Sequence, residues 1–145
     1  MPATDILETE LLELLFENTA FDNIGDAGGI LPSAAPGNLE ISLHTGTLTD
    51  VSTQTTTECT YGSYARVDVA RAAAQWTATA GTVTNDNAIT YPQAVSGSET
   101  ATDFGIGSDV VANELWIYGQ LTASLAISSG ITPEFAAGDL DVSVL

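Results

Sequence analysis

The chain has 145 residues, 44% of them hydrophobic, which suits one globular domain with a real core and excludes a disordered segment. Its charge is one-sided: 19 Asp and Glu stand against two cationic side chains, Arg66 and Arg71, with no lysine and a net charge of −17. Such an excess repels a nucleic-acid backbone and an anionic membrane surface, so neither is expected as a partner.

Residues 1–21 are expected to form an amphipathic helix. Over "TDILETELLELLFENTA" (4–20), Leu7, Leu11, Leu14 and Leu15 recur at the i, i+4, i+7, i+8 spacing of an apolar stripe, with Glu10, Glu13 and Glu17 on another side. Thr4 or Asp5 can cap it, Asp5 and Glu8 stand at capping-box spacing, and the acids favour the N-terminal end of the helix dipole. A helix of about 25 Å is marginal alone, so the stripe must dock on its own domain, a sister subunit or another protein. The acids in the first fifteen residues do not suit a secretory signal, and no apolar run approaches the roughly 18 residues of a membrane span, so a protein made and used in solution is expected.

Residues 22–38, "DNIGDAGGILPSAAPGN", are rich in Gly, Pro, Asn and Asp and read as a linker. From Leu39 the period changes to two, and residues 39–145 are expected to form the β domain. Leu39, Ile41 and Leu43 alternate with Glu40, Ser42 and His44, and Leu140, Val142 and Val144 alternate with Asp141 and Ser143. Between these lie β-type runs over 64–70, 76–82, 88–91, 102–106, 115–121 and 124–127, separated by turn clusters such as "NDN", "SGSE", "GSD" and "SSG". The pattern predicts seven or eight strands and a mainly β fold, an antiparallel β-sandwich or jelly-roll-like barrel with an N-terminal amphipathic helix. "DVARAAAQW" is ambiguous, because Ala and Arg also favour helix. If 64–70 is a strand, Ala65, Val67 and Val69 face inward and Tyr64, Arg66 and Asp68 outward. Arg66 then either pairs with carboxylates of its own chain or reaches an acidic neighbouring subunit, and its planar fork, which lysine lacks, matters in both cases.

The search for chemistry is negative. His44 is the single histidine and ends an alternating strand on its polar side, so a Ser-His-Asp or Cys-His site has little to build on, and there is no G-x-S-x-G elbow. Cys59 is alone, which excludes an intrachain disulfide; it reads as a small buried or half-buried thiol, with an intermolecular bridge as the rival. Nineteen acids guarantee chance carboxylate pairs, which therefore say nothing about glycoside cleavage. Zinc ligands are missing, "DNIGDAGG" and "NDN" miss the spacing of a calcium loop, and "FGIGSD" is not followed by a lysine-bearing phosphate helix. No catalytic residue, cofactor or metal is expected, and the chain is not expected to be an enzyme.

The stretches "LEISLHTGTLTD", "YGSYARVDVA", "WTATAGTVTNDNAITYPQA", "SETATDFGIGS" and "ELWIYGQLTASLAISSGITPEFAAGDLDVSVL", in that order, resemble a family of small virion proteins of tailed viruses, tail-fibre-like or head-decoration proteins. The resemblance covers about residues 39–145, favours a strand over 64–70 and implies a compact β-sandwich without catalytic residues; the leucine-rich helix and linker depart from it. The acidic, lysine-free composition resembles proteins of extreme halophiles, since at molar salt the screening length falls to about 3 Å and self-repulsion is muted. The rival is an ordinary acidic protein. The leading expectation is a capsid decoration (cement) protein of a tailed virus of a halophilic archaeon, assembled in the host cytoplasm. It would bind the major capsid protein or other virion proteins as a homo-oligomer, with a trimer favoured. The alternative is a tail, baseplate, turret or fibre component. A third is a carbohydrate-binding module using Trp76, Trp116 and Tyr118. The candidate interface residues are Leu7, Leu11, Leu14, Leu15, Arg66, Trp116 and Tyr118.

Overall fold

The structure, a computed structural model, describes residues 3–22, 24, 25 and 28–143. Val144 of the predicted last strand and Asn23 and Asp26 of "DNIGDAGG" lie outside the described residues. The chain is mainly β with one N-terminal helix, as its alternating pattern predicts. Helix α1 (Asp5–Leu12) runs into a π-helical turn (Glu13–Glu17), followed by β1 (Asn38–His44), β2 (Val67–Ala70), β3 (Trp76–Thr79), β4 (Thr82–Asn85), β5 (Ile89–Thr90), β6 (Ser98–Ser108), β7 (Leu115–Ser128), β8 (Glu134–Phe135) and β9 (Asp141–Ser143). These form sheets of order β2-β1-β6-β7, β3-β4-β9 and β5-β8. By contact the chain divides into two compact units, one of Met1–Gly37, Ala70–Ile89 and Phe135–Leu145, the other of Asn38–Val69 and Thr90–Glu134. Each is assembled from stretches far apart in sequence, an arrangement the linear order of helix, linker and β domain does not express.

In the first unit, the helix is anchored by Leu12 and Phe16, both fully buried. They are four residues apart and share a face. The Phe16 ring meets fully buried Trp76 edge-on, with centroids 4.9 Å apart and planes at 71°. The buried stripe is thus rotated one position from the predicted one: Leu7 and Leu11 remain 47% and 42% exposed, while Leu14 and Leu15 are half-buried. The predicted capping box does not form. Thr4 is the N-cap but makes no side-chain cap bond, and the Glu8 amide donates to the Thr4 carbonyl at 3.0 Å.

Asn18, left-handed at φ 54°, ends the helix, and the Thr19 amide donates back to the Glu13 carbonyl at 3.1 Å. The Asn18 amide group exchanges two hydrogen bonds with the Ser33 backbone, at 2.8 and 2.9 Å, so the predicted linker is fastened at that point.

The run 76–82, expected as one strand, is a hairpin: Thr79 pairs with Thr82 across a two-residue turn, Ala80 (φ 48°) and Gly81 (φ 76°). A tight hairpin of this type needs positive φ at both positions, and an alanine there gives no turn signal. Helix and hairpin are stitched together, because the Thr9 hydroxyl accepts the Gly81 amide at 2.9 Å and the Glu17 carboxylate accepts the Ala78 amide at 2.6 Å. Asn85, buried at the end of β4, donates to the carbonyls of Asn87 and Ala136 and accepts from the Leu140 amide, closing β9 onto β4.

In the second unit β1, β6 and β7 are antiparallel, and Leu39, Ile41, Leu43, Phe104 and Ile106 are buried as their alternation predicts. The runs 115–121 and 124–127 are one strand. Between Leu125↔Ala101 and Gln120↔Asp103, β7 advances five residues to two on β6, a bulge that the sequence shows as a break. The run 64–70 is a strand only from Val67. A turn before it, with Ser63 at φ 76° and the Tyr64 amide bonded to the Tyr61 carbonyl, leaves Ala65 exposed and Tyr64 half-buried, opposite to the predicted alternation.

Phe16→Ala removes the ring that joins helix to sheet, and should destabilise the first unit by about 3–5 kcal/mol in urea unfolding. A loss under about 1 kcal/mol would show that the helix is not part of that core.

Candidate functional site

The second face of β1 carries Glu40, Ser42 and His44, and β6 sets Gly107, Gly105 and Asp103 opposite them. Two of these three β6 positions have no side chain, and that space is used. A Cβ at Gly105 would lie 2.8 Å from Ser42 Oγ and 2.9 Å from His44 Nε2, and one at Gly107 would strike the Gln54 amide. Ser42, His44 and Gln54 are all fully buried there, forming a polar layer.

Arg66 organises this layer. Its Nε and Nη2 grip the Glu58 carboxylate at 2.7 and 2.9 Å; Nη1 donates to Glu40 Oε2 at 3.0 Å and Gln54 Oε1 at 2.8 Å; Nη2 also donates to Asn113 Oδ1 at 3.0 Å. All five guanidinium N–H groups are matched to acceptors. Gln54 in turn donates to the Glu40 carbonyl at 2.9 Å. Tyr64 donates its hydroxyl hydrogen to Glu58 at 3.1 Å and accepts the Leu43 amide at 3.0 Å, while burial pushes its phenol well up. Arg66 therefore binds carboxylates of its own chain, the first of the two options its position allows.

His44 sits inside the layer. Its Nδ1 faces the Thr56 carbonyl at 2.8 Å, which only accepts, so Nδ1 carries the proton and Nε2 accepts from Ser42 Oγ at 2.8 Å. Burial holds the imidazole below its ordinary range, outweighing the Thr56 carbonyl and the carboxylates of Glu58 and Asp103. The pair has the spacing of a nucleophile and its base, but neither residue reaches solvent. Cys59 is equally sealed. Burial, then the Glu99 carboxylate, pushes its thiol up to about 12, leaving it protonated at neutral pH. Among the described residues no group of three or more His, Cys, Asp or Glu converges to hold a metal ion.

Arg71 performs the matching task in the first unit. Its Nε, Nη2 and Nη1 donate to the carbonyls of Leu15 (2.6 Å), Leu14 (2.7 Å) and Pro36 (2.8 Å). A cation on the carbonyls at a helix C-terminal end satisfies orphan acceptors and opposes the dipole.

The remaining predicted residues lie outside these networks. Trp116 and Tyr118, 41% and 42% exposed, stand on β7, which among the described residues is an edge strand of its sheet. Residues 115–133 contain no charged side chain, a long gap in a chain of −17. Trp76 cannot join them in an aromatic platform, because it is fully buried with Nε1 donating to the Ala70 carbonyl at 3.1 Å. The sequence pattern missed Glu40, Gln54, Glu58 and Asn113 as partners of Arg66. One signal was present: the alternating glycines of "FGIGS" in a β run mark close approach by neighbouring groups.

The comparison with known families places this antiparallel β fold: the chain is a virion structural protein of the fibre type found in tailed viruses. It belongs to the family described as podophage GP4 fiber I protein gp80, whose model matches residues 2–143. The match takes in the N-terminal helix, which is therefore part of the family and not an addition to it. No curated protein matches the chain.

Arg66→Lys keeps the charge but offers three donors for five acceptors. It should destabilise the second unit by about 1–3 kcal/mol in chemical denaturation at fixed salt. A change within about 0.5 kcal/mol would show that the fork geometry is unused.

Proposed function

We propose that this chain is a component of a tail-associated fibre, acting by binding and without turnover. The observation that carries this reading is the fibre-family match over residues 2–143, which favours a fibre over capsid decoration. The sealed Ser42–His44 pair and the protonated, buried Cys59 support a non-enzymatic role. In this reading the fibre protein is assembled in the host cytoplasm as a homo-oligomer, with three-fold symmetry favoured. Copies carrying −17 each approach most readily where charge is missing, which points to the uncharged stretch 115–133 with Trp116 and Tyr118 at its start.

Gold-labelled antibody against the chain, applied to purified particles in the electron microscope, should mark a tail appendage. Uniform labelling of the head would return the protein to the capsid surface.

We further propose a host with molar internal salt, since 19 acids and two arginines leave a surface whose repulsion only concentrated ions relieve. Raising KCl from about 0.1 M to about 2 M should raise the thermal midpoint steadily as the Debye length shrinks. A midpoint that is already high and flat across that range would contradict a halophilic origin.

A further inference from the structure

The outward face of α1 exposes large apolar side chains: Ile6 is 76% exposed, and Leu7 and Leu11 are exposed as well. Beside it lies a shallow pocket of about 290 Å3 lined by Asp5, Ile6, Thr9, Glu10, Glu13 and Ala80. The face therefore combines isoleucine and leucine side chains with three carboxylates. The carboxylates are crowded: burial, then Glu17, Glu10 and Asp22, raise the Glu13 carboxyl above its ordinary range. A cation placed there relieves repulsion as well as making new contacts.

A second copy of the chain cannot supply that cation. There is no lysine; Arg66 has all five N–H groups on acceptors of its own unit, and Arg71 is held on the carbonyls of Leu14, Leu15 and Pro36. Nucleic acid offers no cation either. The complement is a segment with apolar side chains at helical spacing, flanked by basic ones, from a different protein.

We propose that the exposed face of α1, where Ile6, Leu7 and Leu11 stand beside Glu10, with Asp5 and Glu13 along its pocket side, docks an amphipathic helical segment of another protein bearing Lys or Arg beside its apolar stripe. The inference leans on the fibre reading only in expecting that protein within the particle; the surface argument holds without it.

The test uses the full chain, isotope-labelled for NMR, at the lowest KCl that keeps it folded. The probe is a synthetic Leu/Lys amphipathic peptide of about 18 residues, five helical turns. Leu/Glu and Ser/Lys peptides of equal length are the comparisons. The Leu/Lys peptide should shift the amide signals of Asp5–Leu12, and both comparison peptides should leave them in place. The double variant Leu7→Ser, Leu11→Ser keeps every charge and should weaken binding at least about tenfold. Should that variant unfold, Asp5→Asn with Glu13→Gln decides, by weakening binding several-fold and flattening its salt dependence. Equal binding of the Ser/Lys peptide would reduce the effect to general attraction by an acidic protein and overturn the proposal. So would shifts confined to other residues, no binding at all, or concentration-dependent self-association abolished by the leucine variant. Because none of these outcomes depends on where the protein sits in the particle, failure here is separable from failure of the fibre reading.

Discussion

Two guanidinium groups hold an otherwise uniformly anionic chain together, and each serves one unit. Arg66 lies just before β2 and gathers Glu40, Gln54, Glu58 and Asn113; Arg71 lies just after β2 and gathers the carbonyls of Leu14, Leu15 and Pro36. The chain passes from the second unit to the first between Val69 and Ala70, so a separation of five residues places one cation on each side of that crossing. The spacing of the two arginines thus gives each unit one. With so few cations available, each must satisfy several acceptors at once, which a planar five-donor group can do and an ammonium cannot.

The polar layer around Arg66 depends on what its neighbours lack. Gly105 and Gly107 leave room on β6 for Ser42, His44 and Gln54 to lie against the sheet, and the segment carrying Gln54, Thr56 and Glu58 closes over them. Each buried polar group named there has a partner except Asp103 Oδ1, which among the described residues has none. A layer of this kind is specific more than it is strong. Its hydrogen bonds each contribute about 1 kcal/mol net, yet leaving any one acceptor buried without its donor costs more than that. Specificity of this sort suits a part whose shape must be reproduced in every copy of an assembly.

Much of the fold was legible in the sequence, and the failures share one cause. The alternation of Leu39, Ile41 and Leu43 reported the strand and one buried face, because side-chain period is a local property, but not that Ser42 and His44 on the polar face are buried as well. The helix was equally readable, but its buried face was not: Leu7 and Leu11 fit the stripe as well as Leu12 and Phe16 do, and only the position of Trp76, sixty residues on, decides between them. The hairpin at Ala80 and Gly81 was hidden because alanine in a left-handed turn leaves no compositional mark, whereas the bulge in β7 showed as a break between two runs and hid only that they are one strand. For the site, Arg66 stood out by rarity alone, whereas its partners were four among many acids and amides. Spacing cannot reveal which acid an arginine meets when the contact is made across a sheet.

Uniform charge also sorts the ways in which such a protein can associate. Two copies repel least where charges are missing, and residues 115–133 are the longest uncharged stretch of the sequence. A partner of opposite sign is drawn instead to the acidic rim of α1, where apolar side chains wait beside carboxylates. In the proposed assembly like meets like at the neutral strand edge and unlike meets unlike at the helix, so one electrostatic imbalance would separate self-association from attachment. Concentrated salt weakens both the repulsion and the attraction, but leaves the burial of Trp116, Tyr118, Leu7 and Leu11 undiminished. Under the molar salt proposed for the host, apolar contacts would therefore set affinity, and the charges would chiefly decide which surface accepts which partner.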